Sequence, residues 1–136
     1  MYIIDASIFL EVELKQERNE ECKQFLSKVT RGEIKAIISD FAIDSIILII
    51  ERHRGNWKEI KKFLESLSLF SGLSIYKVTL IDKIKATEHM KNLGLDFDDS
   101  VVLQSAFSNN IKEIVSFDKD FDGIKEIRRL EPGDVL

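Results

Sequence analysis

The sequence predicts an α/β fold in which a mostly parallel central sheet carries helices on both faces, an α/β/α sandwich. Short apolar runs at residues 2–4, 36–38 and 113–117 have the length of buried strands. Segments with apolar residues at three- and four-residue spacing separate these runs, and such spacing is typical of helices. Strands that alternate with helices form mainly parallel sheets, which are covered on both faces.

The remaining elements follow from the same spacing and from end signals. We expect helices at residues 7–14, 19–29, 40–54, 57–67 and 81–93, a sixth from Asp98 or Asp99 through Phe107, and strands at 74–78 and, at an edge, 127–130. Ser39 is placed as an N-cap for the third helix, while Gly55 and Gly94 mark the ends of the third and fifth. The third helix is apolar most of the way round, which predicts burial on more than one side and a homodimer contact.

Composition and charge restrict the class of protein. The 136 residues suffice for one core, and no linker or repeat divides them, so we expect a single domain over residues 1–136. With 44% hydrophobic and 32% charged residues, the chain is typical of a soluble globular protein, without a membrane span or signal peptide. Cys22 is the only cysteine, which favours a reducing, cytoplasmic setting. A net charge of −4 argues against a surface that is basic throughout, although a local basic rim remains compatible with it.

Three aspartates mark the points where the chain changes structure. Asp5 and Asp118 follow apolar strand patterns, and Asp99 opens a buried helical run. In an open parallel sheet the functional crevice lies at the carboxyl edge of the strands. Three carboxylates that meet there repel one another unless a divalent cation lies between them, so the pattern indicates a site for Mg²⁺ or Mn²⁺.

Less specific explanations stay open for these residues. Asp5 or Asp99, taken alone, is better explained as a helix N-cap than as a catalytic residue. The run from Asp118 to Gly123 matches the start of an EF-hand loop, but Arg129 stands where the bidentate Glu is required. Asp120 and Asp122 are therefore interpreted first as a solvated turn, with Asp122 kept as a candidate supporting residue.

Other chemistries find little support in the sequence. Neither His53 nor His89 has a second ligand at zinc-site spacing, and no glycine-rich phosphate loop or nucleophile elbow is present. Two basic clusters could form a phosphate-binding rim or could be ordinary solvated faces. Their members are Arg52, Arg54, Lys58, Lys61 and Lys62 in one, and Lys119, Lys125, Arg128 and Arg129 in the other.

Three short motifs together resemble the PIN domain family, the nuclease fold of the toxins in VapBC toxin–antitoxin pairs. They lie at residues 2–7, 95–100 and 116–121. The resemblance implies a metal-dependent ribonuclease whose catalytic and metal-binding acids are Asp5, Asp99 and Asp118. Ser7 and Ser116 match hydroxyl positions that support the site in that family.

One position departs from the family pattern. The family usually has a Glu early in the helix after the second strand, and alignment on Ser39 places it at Ser45. Asp44 is the neighbouring acid, but one helix position is a rotation of ~100°. Asp44 is thus kept as a candidate supporting residue that requires a local shift; otherwise the site has lost a carboxylate.

The leading hypothesis is hydrolysis of RNA with Mg²⁺ or Mn²⁺ by the toxin of a toxin–antitoxin pair, which implies an RNA substrate and a cognate antitoxin. The alternative, which Ser45 motivates, is a PIN-like RNA- or protein-binding module with an inactive site. A phosphotransfer domain is a third interpretation, weakened because Asp5 has no second acid beside it.

Overall fold

The computed structural model describes residues 1–136, apart from the side chain of Arg54. Five strands form one sheet in the order β3-β2-β1-β4-β5, and every adjacent pair in the described chain is parallel. The strands are β1 (Tyr2–Ile4), β2 (Ala36–Ser39), β3 (Leu73–Tyr76), β4 (Glu113–Val115) and β5 (Arg128–Leu130). The predicted α/β class with a mostly parallel sheet is confirmed.

Seven helices accompany the sheet in the described chain. They are α1 (Ala6–Glu13), α2 (Asn19–Thr30), α3 (Asp40–Arg54), α4 (Trp57–Leu67), α5 (Leu80–Leu93), α6 (Phe97–Ser108) and α7 (Pro132–Val135), with a 3-10 turn at Lys119–Phe121. Ser39 caps α3, since its Oγ accepts from the Ala42 N–H at 2.9 Å. Gly55 and Gly94 end α3 and α5 in the left-handed region that favours glycine.

Alternate residues of the strands supply two separate cores. Ile4, Ile38 and Val115 face a core that α1 to α4 cover. Their neighbours Ile3, Ile37 and Ile114 face a second core, which α6 and the segment before β5 cover. This alternation is the period-two pattern of a strand, and it explains why the central strands β1 and β2 are almost entirely apolar. Helix α5 packs on α6 from outside and contributes no residue to either core.

Several predicted boundaries were wrong. Strand β3 covers Leu73–Tyr76 rather than residues 74–78, because its partner β2 ends at Ser39, which pairs with Tyr76. Strand β4 ends at Val115, two residues before Phe117, and α7 was not predicted. Among the described helices, none combines the length and hydrophobicity that a membrane span requires.

Candidate active site

Asp5 lies directly after β1, where it is held by two serine hydroxyls. Its Oδ2 accepts hydrogen bonds from Ser116 Oγ at 2.6 Å and from Ser7 Oγ at 2.9 Å. Asp5 occupies the N-cap position of α1 but makes no capping hydrogen bond, so capping does not account for it. Burial raises the pKa of Asp5, while the two hydroxyls act in the opposite direction by stabilising the charged form.

Ser116 links Asp5 to the loop that follows β4. Its Oγ donates to Asp5 and accepts from the backbone N–H of Asp118 at 3.0 Å. The Ser7 hydroxyl likewise accepts from the Phe117 N–H at 3.4 Å. Two strand ends, β1 and β4, are thereby fixed to each other at the carboxyl edge of the sheet, and Asp118 is positioned beside Asp5.

Asp99 enters from the other side, in the first turn of α6. The N-cap is Asp96, whose Oδ1 accepts from the Asp99 N–H at 2.9 Å, so the prediction of Asp98 or Asp99 as the cap was wrong. Asp99 is only 8% exposed. Burial, hydrogen bonding with Asp118 and the charges of Asp118, Asp96 and Asp5 raise the pKa of Asp99 to about 8. At neutral pH Asp99 therefore retains its proton, which removes one negative charge from the cluster.

Two of the three predicted metal ligands, Asp99 and Asp118, converge at this edge with Asp120, whereas Asp5 is not part of this group. One oxygen from each of Asp99, Asp118 and Asp120 lies within 4.8 Å of the others. Within the loop, Asp118 Oδ1 also accepts a hydrogen bond from the Asp120 N–H at 2.9 Å. An all-carboxylate donor set suits Mg²⁺ or Mn²⁺, and a cation there would replace the proton that the crowded charges require. The residues present fit a divalent cation.

The structure brings some of the predicted supporting residues to the site and not others. Ser7 and Ser116 bond Asp5 directly. Asp44 is exposed and does not line the cleft beside Asp5 and Asp99, whereas Ser45 does. The local shift that Asp44 would need does not occur, because α3 is regular from its Ser39 cap and the ~100° step between neighbours separates their directions.

Asp122 forms an ion pair with Arg129 rather than joining the other acids. Its carboxylate accepts from Arg129 Nε at 2.7 Å and from Arg129 Nη2 at 3.3 Å, which lowers the pKa of Asp122. Arg129 Nη1 donates in addition to the carbonyl of Ser116 at 3.0 Å and to Glu131 at 2.9 Å. Arg129 thus ties β5 to the loop that carries Asp118, and any contribution of Asp122 is indirect.

Three acids that lie at the site were not predicted as site residues from the sequence. Asp120 is exposed in the 3-10 turn, as expected of a solvated turn residue, but its carboxylate also lies in the cluster with Asp99 and Asp118. Asp96 and Asp98 line the cleft beside Asp99. The D-x-x-D spacing of Asp96 and Asp99 was a signal for the cap, and the D-x-D spacing of Asp118 and Asp120 was a signal for shared ligation.

The predicted basic rim is only partly available. Arg129 is engaged by Asp122 and Glu131, while Lys119, next to Asp118, is exposed. Arg18, which the sequence did not single out, lies over the ring of Phe117 at 4.1 Å and bonds Glu131 at 2.6 Å. The side chain of Arg54 lies outside the described residues.

The family model described as PIN domain matches residues 2–127. The chain belongs to the PIN domain family. That match includes all of the acids at the carboxyl edge of the sheet and confirms the resemblance drawn from the three short motifs.

Solved structures carry the same PIN fold. VapC20 of Mycobacterium tuberculosis, a toxin that cleaves the sarcin–ricin loop, superposes with a TM-score of 0.75 at 16% identity, covering 94% of this chain and 99% of its own. A toxin–antitoxin complex from Klebsiella pneumoniae gives 0.72 at 16% identity over 97% and 98% of the two chains. VapBC2 from Rickettsia felis, bound to a DNA fragment from its promoter, gives 0.72 at 15% identity over 96% and 97%.

A search among curated proteins found no match. At such low identities the solved structures establish the fold of this PIN domain, and its chemistry has to be argued from the site.

Proposed function

We propose that residues 1–136 form one PIN domain that hydrolyses RNA phosphodiester bonds with Mg²⁺ or Mn²⁺. The observation that carries this proposal is the carboxylate cluster of Asp99, Asp118 and Asp120, whose oxygens lie within 4.8 Å of one another at the carboxyl edge of a parallel sheet. The raised pKa of Asp99, about 8, supports it, because such crowding is relieved by a cation.

The chain's own residues have separable roles in this proposal. Asp5, Asp99 and Asp118, together with Asp120, would hold the ion. When bound, a divalent ion lowers the pKa of its water and neutralises charge on the phosphate. Ser7 and Ser116 favour the charged form of Asp5 and fix its orientation, since both donate to its Oδ2. The exposed Lys119 beside Asp118 is available to attract the phosphate.

The direct test compares two Asp-to-Asn variants. Asp5→Asn should abolish Mn²⁺-dependent cleavage of single-stranded RNA with little change in melting temperature. Asp44→Asn should cleave like the wild type, because Asp44 is exposed and outside the cleft. Undiminished cleavage by Asp5→Asn, followed on labelled RNA with and without chelator, would remove Asp5 from the mechanism.

The same proposal includes a biological setting. Neighbouring structures that are toxins or toxin–antitoxin complexes support a toxin that acts in the cytoplasm and is held by a cognate antitoxin. Sequestration of the acidic edge would be the means of control. Co-purification of a small partner that suppresses cleavage in a stoichiometric titration is the expected result.

We infer a homodimer as part of this proposal, and we propose a different contact surface from α3, which the sequence suggested. On α3, only Leu48 is a large exposed hydrophobic residue in the described chain. The start of α5 and the adjacent edge strand expose four, namely Ile75 at 57%, Leu80 at 74%, Ile81 at 64% and Ile84 at 56%. Burial of these side chains against a second copy would remove an apolar patch from water. Light scattering should give a dimer, and Ile81→Glu a monomer.

A second candidate function is a binding module without turnover, and Ser45 is the observation that favours it. The side chain at this point of the cleft is a hydroxyl rather than a carboxylate. That candidate predicts little rise in melting temperature with Mn²⁺ and no cleavage by purified protein. A rise of several degrees that Asp99→Asn removes would exclude it.

A further inference from the structure

A cavity of about 180 Å³ opens beside the acidic residues, between α1, α3 and the first turn of α6. Asp5 and Asp99 line its acidic side, but Asp118 and Asp120 do not. The cavity and the carboxylate cluster are therefore adjacent spaces that share Asp99. The remaining lining is mostly apolar and includes Leu10, Phe41, Ala42, Ile49 and Val102.

We infer that this cavity binds one unpaired nucleobase of the RNA, next to the phosphate at the carboxylate cluster, and favours a base with an exocyclic amino group. The inference rests on the proposed ribonuclease function and adds a base-recognition subsite to it. It follows from the volume of the cavity, the aromatic ring of Phe41 in its lining and the acidic residues that line it.

Size restricts the occupant to a single small ring system. Pockets for drug-sized ligands measure about 300–1,000 Å³, so a cavity of about 180 Å³ accepts one base rather than a dinucleotide. Ser45 contributes to this space, because a short side chain stands where a longer one would project into the cavity. Among the described residues, no hydrogen bond engages the Ser45 hydroxyl, so it is available to the edge of a base.

Phe41 provides a ring that is already fixed in orientation. It is partly buried, and its ring meets that of Phe97 edge-to-face, with centroids 5.6 Å apart and planes at 85°. Bases that are not paired stack on aromatic side chains in most single-strand sites. Because Phe97 holds the Phe41 ring, a base that stacks on it does so with little loss of side-chain freedom.

Charge decides which part of a nucleotide enters. Asp96 and Asp98 also line the cavity and are not among the residues proposed to hold the ion, so a phosphate there would meet two carboxylates whose charge no cation offsets. An exocyclic amino group, in contrast, donates hydrogen bonds that carboxylates accept, as Asp and Glu do with cytosine N4. Uracil presents a carbonyl oxygen at that position, which faces the same carboxylates unfavourably.

The experiment measures binding without cleavage. Fluorescence anisotropy with a labelled RNA hexamer in Ca²⁺, its integrity checked on a gel, gives the affinity as each base in turn is replaced by an abasic ribose. One position should lose about fivefold or more, the lower end of a base–aromatic stacking contribution. At that position cytosine should bind more tightly than uracil, two rings that are closely matched in size.

Matched variants assign the effect to the cavity. Ser45→Ala keeps the space and should retain the preference, whereas Ser45→Leu fills it and should abolish the dependence on that base. Phe41→Tyr keeps a ring and should bind like the wild type, whereas Phe41→Ala should lose the abasic effect. A Mn²⁺ titration of the protein alone should be the same for all four, because none of these residues belongs to the carboxylate cluster.

The outcomes separate the subsite from the proposed function. A base-dependent affinity without any Mn²⁺-dependent cleavage leaves the subsite and removes the ribonuclease. Cleavage with no abasic position that matters removes the subsite and leaves the ribonuclease. Ser45→Glu gives a further contrast: tighter Mn²⁺ binding with faster cleavage would show that the cavity is an incomplete metal site, and would overturn the inference.

Discussion

Asp82 and Asp99 occupy the same position in two helices that pack against each other. Each is the third residue of its helix, after the N-caps Thr79 and Asp96, and each is almost fully buried. Their electrostatic states are opposite. The comparison separates a buried carboxylate that stabilises a fold from one that is available for chemistry.

Asp82 is surrounded by hydrogen-bond donors. It accepts from Tyr76 OH at 2.5 Å, from Ser108 Oγ at 2.6 Å and from the Thr79 N–H at 3.0 Å. Burial alone would raise the pKa of Asp82, but these donors outweigh it and lower the pKa to about 2. Asp82 closes the capping box of α5, so its charge is fully used within the fold.

Asp99 receives no comparable set of donors. The Asp96 cap accepts from its N–H, but the Asp99 carboxylate does not return the bond, so no capping box forms at α6. Its neighbours are Asp118, Asp96 and Asp5, whose charges add to burial and raise the pKa to about 8. The hydrogen-bond donors that stabilise the charged form of Asp82 in the folded protein are absent at Asp99. A carboxylate left without such stabilisation is expected where a ligand binds.

Between the two residues, the substitution with the stronger predicted effect on activity is Asp99→Asn. Asp99→Asn should reduce metal-dependent cleavage by about 10³-fold, or about 4 kcal/mol at the transition state, because a cation loses a charged ligand. The same variant should unfold at equal or higher urea concentration in chelator, since a source of repulsion is gone. Single-turnover cleavage and urea unfolding on one preparation check both parts.

Asp82→Asn should show the reverse pattern. The amide directs N–H groups at the donors of Ser108 or Tyr76, and hydrogen bonds to charged groups are each worth about 1.5–3 kcal/mol. We expect a loss of about 2–3 kcal/mol in the free energy of unfolding, with the Mn²⁺ affinity of the folded protein unchanged. An equal loss from Asp99→Asn would mean that the comparison has no functional content.

Part of this contrast is present in the sequence. The T-x-x-D spacing at Thr79 and Asp82 is a capping signal, while D-x-x-D at Asp96 and Asp99 places two acids where one is enough. Asp5 and Asp118 were predictable because apolar strands end immediately before them. The choice among Asp96, Asp98 and Asp99 as the cap was not, since each is an acceptable cap residue and only the backbone geometry decides.

The remainder depends on contacts between distant segments. Arg129 reaches the carbonyl of Ser116 only because β5 lies beside β4. Tyr76 at the end of strand β3 and Ser108 at the end of helix α6 both donate to Asp82, although Ser108 lies 26 residues away in the sequence. Asp120 lies in a short turn, and the sequence pattern of that turn does not show that its carboxylate lies near those of Asp99 and Asp118. Local spacing carries no information on such pairings.

The dependence of stability on pH also distinguishes Asp99 from Asp82. The folded pKa of Asp99 is raised above its ordinary value of 3.8 to about 8, so between these values the folded state holds a proton that the unfolded state has released. Stability should therefore fall as pH rises from about 4 to about 8, by at most about 1.4 kcal/mol per pH unit for one proton. Urea unfolding in chelator at pH 5 and pH 8 measures this slope.

Asp99→Asn is the reference for that slope, because all other titrating groups are shared. The wild type should lose more stability than the variant between the two pH values, and Mn²⁺ should remove the difference. For Asp82 the direction is opposite: its pKa is lowered to about 2, so its contribution is complete above pH 4 and is lost only as pH falls through about 2. Parallel wild-type and Asp99→Asn profiles would contradict the assignment.

The smallest effects come from the caps themselves. Thr79→Ala removes the acceptor of the Asp82 N–H and should cost about 1 kcal/mol, the usual value of an N-cap. Asp96→Ala removes the equivalent bond to the Asp99 N–H but also a charge that raises the pKa of Asp99, so its net cost should be smaller. Asp96→Asn keeps the cap and removes only the charge; urea unfolding in chelator should find it at least as stable as the wild type. A loss from Asp96→Asn equal to that from Thr79→Ala would show that the acids at α6 do not oppose one another.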